Sequence, residues 1–149
     1  MSLTSSGNPD VTMHNFEFHH FGLAVRKEDA ALKFLSAIGY MLGTRIYDPE
    51  QNANVRLCVS PNMPDVELVT PGIGPGPLDS ILNRSPEMIY HLCYETSDLT
   101  RVLESFKVKE IKHLCVSPRK PAILFNNRFV SFYHLPGFGL IELLELDSN

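Results

Sequence analysis

The stretch Phe18-His19-His20-Phe21-Gly22-Leu23-Ala24-Val25 decides the fold, because three later segments of the chain share its character. Those segments are Ile89-Tyr90-His91-Leu92-Cys93-Tyr94, Val66-Glu67-Leu68-Val69 and Leu140-Ile141-Glu142-Leu143-Leu144. Each segment places one potential metal ligand inside a strand-like apolar run, in the order His20, Glu67, His91, Glu142. The separation is 47 residues in the first pair and 51 in the second. Similar spacings predict one module used twice, with a site assembled from both copies.

The composition narrows the class of protein. A chain of 149 residues with 44% hydrophobic residues suits one compact domain, or two small modules around a shared core. A net charge of −4 with no cluster of Lys or Arg argues against nucleic acid as a partner. The apolar runs are too short to cross a membrane. Three cysteines without CxxC spacing argue against disulfides and a cysteine zinc site, so we expect a cytoplasmic protein.

The opening strand has two unlike faces, because alternate residues of a strand point to opposite sides. His19 falls on the face that carries the large apolar groups, whereas His20 shares its face with Gly22 and Ala24. The large groups are expected to pack on a helix, with His19 beside them in a structural role. The small groups leave room for something to approach His20. By the same alternation, Tyr90 is expected on the packing face opposite His91.

The order of predicted elements divides the chain into four parts. Two similar strand–helix–three-strand units are separated by a Gly- and Pro-rich segment. The predicted parts are a flexible leader (1–15), a first βαβββ module (16–71), a linker with a short helix (72–87) and a second βαβββ module (88–149). The predicted module helices are 27–38, with Ala31, Phe34, Leu35 and Ile38 on one stripe, and one with Leu99, Val102, Leu103 and Phe106 on its stripe. The remaining predicted strands are 41–47, 54–60, 65–70, 111–116, 123–125, 129–134 and 140–146.

Two imidazoles and two carboxylates suit an octahedral-type site for one borderline divalent ion, such as Zn, Ni, Co or Mn. Such an ion polarises a carbonyl and stabilises the enolate that forms when the neighbouring carbon loses a proton. The alternative is structural, since a histidine in a strand is more often a core or surface residue, and Glu67 also fits a solvated strand face. Glu142 lies between Leu140 and Leu144, so it must be metal-bound, ion-paired or protonated.

These motifs resemble the vicinal oxygen chelate superfamily, which includes glyoxalase I, methylmalonyl-CoA epimerase, ring-cleaving dioxygenases and antibiotic-resistance proteins. The run His20–Val25 is similar to the opening His-Ile-Gly-Ile-Ala-Val of the epimerase and glyoxalase-like branch. Val66–Pro71 is similar to its Glu-Leu-Leu-x-Pro strand. The segment around His91 and the run Gly139–Leu143 are similar to two further strands. The resemblance covers about residues 16–146.

The resemblance implies an α+β fold in which two βαβββ modules form a cupped, mostly antiparallel sheet around one divalent metal. His20, Glu67, His91 and Glu142 correspond to the metal ligands of the family. A complete ligand set argues against the metal-free binding members. A fourth ligand argues against the iron dioxygenases, which use two His and one acid.

One departure from the family concerns the catalytic base. The epimerases place a second catalytic Glu just after a Val-Arg pair, whereas here Val55-Arg56 is followed by Leu57, which cannot move a proton. Glu50 is a nearby substitute, although a solvated turn also accounts for it. In glyoxalase-like members a ligand acid can leave the metal and take the proton, and Glu142 is the candidate for that role.

Three cationic residues near the later strands are candidates for binding a substrate carboxylate or phosphate. Arg128 enters a strand after a turn and is the predicted substrate-binding residue, whereas Arg119 and Lys120 are more simply explained as surface charges. The predicted function is metal-dependent proton transfer next to a carbonyl, on a small or thioester substrate, by an isomerase, epimerase or lyase. The alternatives are a non-catalytic small-molecule binding protein and an iron-dependent dioxygenase. A homodimer is compatible with the sequence.

Overall fold

A single nine-stranded mixed sheet runs through residues 16–147, which are the residues that the computed structural model describes. The predicted leader, 1–15, lies outside them. The strands are β1 (Glu17–Val25), β2 (Met41–Leu42), β3 (Ile46–Asp48), β4 (Ala53–Val59), β5 (Asp65–Pro71), β6 (Glu87–Thr96), β7 (Leu114–Ala122), β8 (Arg128–Leu135) and β9 (Gly139–Glu145). The helices of this part of the chain are α1 (Asp29–Ala37), α2 (Asp79–Leu82), α3 (Leu99–Val108) and the 3-10 helix Ile123–Phe125.

The order of strands across the sheet is β2-β4-β5-β1-β6-β9-β8-β7, with β3 also paired to β4. The pairs β1–β5 and β6–β9 are parallel, and the others are antiparallel. Each half therefore repeats one arrangement, and the antiparallel pair β1–β6 joins the halves at the centre. The 3-10 helix near one end of the sheet contacts β3 and β4 at the other end, so the sheet curves into a cup. The predicted α+β fold with a cupped, mostly antiparallel sheet is confirmed; the module boundaries stay a prediction.

The helices α1 and α3 cover the outer face of the sheet. Leu35 and the partly buried Leu32 of α1 pack on Phe21 and Leu23, which confirms that the large groups of β1 face a helix. The predicted stripe of α1 was wrong at Phe34 and Ile38, which are 63% and 41% exposed. Turning Leu32 and Leu35 inward directs Phe34 to solvent, and Ile38 lies just after the end of the helix. All four predicted stripe residues of α3 pack in one cluster. None of the helices in residues 16–147 is long and apolar enough to cross a membrane.

The region after α3 differs most from the sequence prediction. The strands predicted at 111–116 and 123–125 were wrong, because β7 runs through Leu114–Ala122 and Ile123–Phe125 forms a 3-10 helix. Two prolines lie within β7, and the strand tolerates them because it is at the edge of the sheet, where one side needs no hydrogen-bond donors. Asn126 and Asn127 then adopt left-handed φ angles of 56° and 60°, which turns the chain sharply into β8.

The predicted strand 41–47 was also wrong as a single element, since it is interrupted between β2 and β3. The interruption begins at Gly43, whose amide donates to the carbonyl of Leu57 at 2.9 Å. A Cβ atom at Gly43 would lie 2.3 Å from that same oxygen. This close approach to β4 therefore requires glycine.

Candidate metal and substrate site

The four predicted ligands lie on the four central strands, β5, β1, β6 and β9, and point into the cup. All are at most 2% exposed, although each is a polar residue. One nitrogen or oxygen atom from each of the four lies within 4.8 Å of the atoms from the other three. The duplicated pairing explains this convergence, because each module contributes a histidine from its first strand and a glutamate from the strand parallel to it. The structure thus brings His20, Glu67, His91 and Glu142 together.

The nitrogen Nε2 of His20 lies closest to the two carboxylates. It is 2.8 Å from Oε2 of Glu67 and 3.2 Å from Oε1 of Glu142. The Nε2 atom of His91 lies 3.9 Å and 3.7 Å from the same two oxygens, and 3.4 Å from Nε2 of His20. All four donor atoms therefore face one small common volume.

The carboxylate oxygens at this point lie close to one possible donor, Nε2 of His20. Apart from that nitrogen, Oε2 of Glu67 and Oε1 of Glu142 are buried without a hydrogen-bond donor within residues 16–147. Buried polar atoms are rarely left without partners unless an ion or a functional role accounts for them. Two carboxylates also balance the charge of one divalent ion, and neutral imidazoles suit the borderline metals. The residues present therefore fit a divalent metal ion.

The two histidines have opposite acid–base behaviour. Burial by itself lowers the pKa of His20, but the carboxylates of Glu142 and Glu67 outweigh that effect and raise the pKa to about 10. Burial lowers the pKa of His91 to about 4, with Glu67 opposing the shift. In the metal-free protein His20 is thus the protonated partner of the two carboxylates, and His91 is neutral.

Gly22 provides the space that His91 occupies. These two residues are opposite each other in the β1–β6 pair. A Cβ atom built on Gly22 would lie 2.1 to 2.7 Å from three atoms of the His91 imidazole. The small group beside His20 was predicted to leave room for an approaching group, and that group is the second histidine.

A β-bulge precedes each ligand histidine. In the β1–β6 register, His19 is an extra residue between Phe18 and His20, and Tyr90 is an extra residue between Ile89 and His91. The predicted placement of His19 on the helix side was wrong, because the bulge brings its ring against His20 and Phe125. The placement of Tyr90 opposite His91 was wrong for the same reason. Its ring lies edge-on to that of His91, with centroids 4.5 Å apart.

A cavity of about 370 Å³ lies in the cup, and none of the four cluster residues is in its lining. Two residues of its wall, Tyr90 and Phe132, meet the His91 ring edge-on. Its wall includes Val69, Phe132 and Leu140, which are close in the sheet to Glu67 and Glu142. The wall is mostly apolar, and the segment that joins the modules closes one side through Pro77, Leu78, Ser80 and Ile81. No sequence signal marked that segment as part of the site.

The polar side chains that line the cavity are few. They are Gln51, Ser80, Tyr90, Ser117 and Lys120. Lys120, which we expected to be a surface charge, brings a cation to the wall, with Nζ 3.5 Å from the carbonyl oxygen of Glu50. Burial raises the pKa of Tyr90 well above its usual value, so its hydroxyl stays protonated at neutral pH.

The position of the missing second base is apolar in the structure as well. Leu57 is directly opposite Glu67 in the β4–β5 pair and packs beside the cup core. Glu50 is exposed in the turn after β3, where its backbone amide donates to Asp48. Glu50 is therefore a solvated turn residue, and it is not among the residues that line the cavity.

Arg128, the predicted substrate-binding residue, is held by groups of the protein. Its guanidinium forms an ion pair with Glu95, and its Nε donates to the carbonyl oxygen of Glu145 at 2.8 Å. Arg119 likewise pairs with Glu145 at 2.7 Å. Neither arginine lines the cavity, so the substrate contact of Arg128 stays a prediction, and Lys120 is the cation that the structure brings to the wall.

The sheet forms a cup from two similar halves, and two His and two Glu converge at its centre. This arrangement defines a class of protein with a candidate metal centre between paired modules. The family model of the Glyoxalase/Bleomycin resistance protein/Dioxygenase superfamily matches residues 19–132. The chain therefore belongs to that superfamily, which the resemblance of its four strand motifs indicated. No curated protein matches the chain by sequence.

Several solved structures share the fold at low sequence identity. A methylmalonyl-CoA epimerase from Mycobacterium tuberculosis is 21% identical with a TM-score of 0.73, and 89% of each chain is covered. A hypothetical protein from Bacillus halodurans C-125 is 17% identical with a TM-score of 0.75, covering 90% of this chain and 96% of the other. The Streptomyces coelicolor methylmalonyl-CoA epimerase in complex with 2-nitronate-propionyl-CoA is 19% identical with a TM-score of 0.71, covering 89% and 98%. At these identities the likeness concerns the fold.

Proposed function

We propose that this chain is a divalent-metal-dependent enzyme of the glyoxalase and epimerase type, which transfers a proton at a carbon next to a carbonyl. The observation that carries the proposal is the convergence of His20, Glu67, His91 and Glu142 in a buried cluster whose carboxylate oxygens have no hydrogen-bond donor in the described residues apart from His20. The ion would be Zn, Ni, Co or Mn. Bound there, it would act as a Lewis acid on the substrate carbonyl.

Glu142 is the proposed base. It is buried beside the cavity wall, between Leu140 and Leu144, so a proton that it accepts is shielded from water. Apart from His20, its Oε1 atom has no hydrogen-bond donor in the described residues, so a lone pair is free for a substrate proton once that imidazole has lost its own proton. Leu57 supplies no second base opposite Glu67. The arrangement therefore supports a one-base transfer of the glyoxalase type better than epimerisation with two carboxylates.

The lining of the cavity favours a substrate that combines a small apolar part with one anionic or strongly polar group. Its apolar wall would bind an acyl or alkyl group, and Lys120 would face a carboxylate or phosphate. Five of the similar solved structures are complexes of methylmalonyl-CoA epimerase with methylmalonyl-CoA or 2-nitronate-propionyl-CoA. Acyl thioesters are thus the first substrates to screen, followed by hemithioacetals.

The proposal is tested by hydrogen exchange in D2O at the carbon next to the carbonyl, with Glu142→Gln and the exposed control Glu104→Gln. Glutamine keeps an oxygen ligand but cannot accept the proton, so we expect exchange to fall by about 100-fold or more in Glu142→Gln. Glu104→Gln should match the wild type. Full exchange by a Glu142→Gln variant that retains its metal would refute the role of this residue.

A second candidate function is a non-catalytic binding protein that holds a small molecule in the same cup. Leu57 at the place of the expected second carboxylate favours it. This candidate predicts that thioesters bind the metal-loaded protein stably with no proton exchange over hours. Exchange that depends on both the metal and Glu142 would exclude it.

A further inference from the structure

We propose that His19 is a positioning residue, which holds His20 in the tautomer and orientation that a metal ligand requires. The inference rests on the proposed function, because it treats His20 as a ligand of the divalent ion. It assigns a role to the bulge residue of β1, which contacts the ligand cluster only through His20.

The contact between the two rings fixes which nitrogen of His20 faces the site. Nε2 of His20 points at the carboxylates of Glu67 and Glu142, and Nδ1 points away from them. That Nδ1 atom lies 2.8 Å from Nδ1 of His19. One of the two nitrogens must donate and the other accept. If Nε2 of His20 gives its lone pair to a metal, Nδ1 carries the proton and donates it to His19.

His19 is itself held from the outer side. Its Nε2 atom lies 3.9 Å from Oε2 of Glu95, and its ring meets Phe125 edge-on with centroids 5.4 Å apart. Arg128 fixes Glu95 by an ion pair. The tautomer of His19 that accepts from His20 at Nδ1 carries its proton at Nε2, facing Glu95. The two contacts of His19 are therefore compatible with one tautomer.

The bulge is necessary for this arrangement. In a regular strand, neighbouring residues point to opposite faces of the sheet, so adjacent imidazoles could not meet. The extra residue in β1 places His19 beside His20 at the rim of the cup. A histidine whose side chain is 22% exposed thereby reaches the outer nitrogen of the fully buried His20.

The test compares zinc affinity, measured by chelator competition, in the full chain carrying His19→Leu or His19→Asn. Leucine removes the hydrogen-bond acceptor, whereas the amide oxygen of asparagine can replace Nδ1. We expect His19→Leu to weaken zinc binding by about 10- to 100-fold, the usual effect of losing an outer partner of a metal-binding histidine. His19→Asn should recover most of the affinity. The control, His134→Leu, removes an exposed histidine from β8 and should have no effect.

A second readout follows the His20 ring directly. In ¹⁵N spectra of the zinc-bound protein, we expect the proton of His20 on Nδ1 in the wild type and in His19→Asn, and a shifted or exchange-broadened signal in His19→Leu. Equal zinc affinity of His19→Leu and wild type, or an unchanged His20 signal, would overturn the inference alone. A wild-type protein that binds no zinc, nickel, cobalt or manganese would instead overturn the proposed function.

Discussion

The two proposed ligand histidines, His20 and His91, occupy equivalent places in the two halves of the sheet, but they are held by different means. His20 has a hydrogen-bond partner for its outer nitrogen in His19, and its ring stacks on Phe125. The outer nitrogen of His91, Nδ1, is buried and has no partner within the described residues. His91 is instead confined by the space over Gly22 and by the ring edges around it.

The comparison shows that the two halves repeat the position of the histidine and not the support around it. Both strands carry a bulge before the histidine. The first bulge presents an imidazole that can hydrogen-bond to the ligand, and the second presents the ring of Tyr90, which lines the cavity. The half that holds His20 therefore fixes its histidine by hydrogen bonding. The half that holds His91 fixes its histidine by packing and contributes Tyr90 to the cavity wall.

The largest expected effect comes from removing the space that His91 needs. Gly22→Ala would place a methyl group within 2.1 to 2.7 Å of the imidazole, so the ring must leave the cluster. We expect zinc affinity to fall by about 100-fold or more, beyond the usual effect of an outer-partner change. Overpacking should also destabilise the metal-free protein by about 1–3 kcal/mol. Chelator competition and urea unfolding measure the two quantities.

Gly76→Ala is the matched control for that substitution. A Cβ atom at Gly76 would lie 3.3 Å from the side-chain amide of Asn52, which can shift. We expect its zinc affinity to equal that of the wild type. If Gly22→Ala bound zinc as tightly as the control, His91 would not be held by packing.

The opposite pKa shifts of the two histidines predict a proton released on metal binding. The pKa of His20 is about 10 and that of His91 about 4, so near neutral pH only His20 must lose a proton. Zinc affinity should rise about tenfold per pH unit between about pH 6 and pH 9. Calorimetry in buffers with different heats of protonation should show about one proton per ion. No proton release would contradict the assignment.

The same shifts set the stability of the metal-free protein. The raised pKa of His20 contributes stability that is complete below pH 6.5 and is lost as the pH rises through about 10. The lowered pKa of His91 contributes stability that is present above pH 6.5 and is lost as the pH falls through about 4. Urea unfolding across this range should show the greatest contribution from the pair near pH 6.5.

The smallest expected effect comes from replacing the phenylalanine ring that contacts each histidine. It distinguishes support by packing from support by hydrogen bonding. Phe132 meets His91 edge-on with centroids 5.3 Å apart, and Phe125 stacks on His20 at 5.2 Å. Aromatic pairs contribute about 0.5–1.5 kcal/mol beyond burial. We expect Phe132→Leu to weaken zinc binding by up to about tenfold, since His91 depends on packing. Phe125→Leu should have less effect, because His20 keeps its hydrogen bond. The reverse order would contradict the comparison.

The sequence predicted the convergence of the four side chains because it depends on strand position and on a repeated pattern. Apolar periodicity located the central strands, and the order of His and Glu within them indicated one shared site. Alternation failed at His19 and Tyr90, since a β-bulge depends on pairing between β1 and β6 and leaves no pattern in either strand alone. It also failed in β7, where prolines resemble a turn but lie on an edge strand. The ion pair of Arg128 could not be predicted from the sequence, because its partner Glu95 lies on β6 and only the fold brings the two residues together.

The most direct test of the account is the metal content of the untagged protein, purified without chelator and measured by mass spectrometry beside Glu67→Ala and His91→Ala. We predict about one divalent ion per chain in the wild type, lost in both variants, because each removes one of four converging ligands. A wild-type protein without metal, and without stabilisation by added zinc, nickel, cobalt or manganese, would contradict the central claim that this cup is built around an ion.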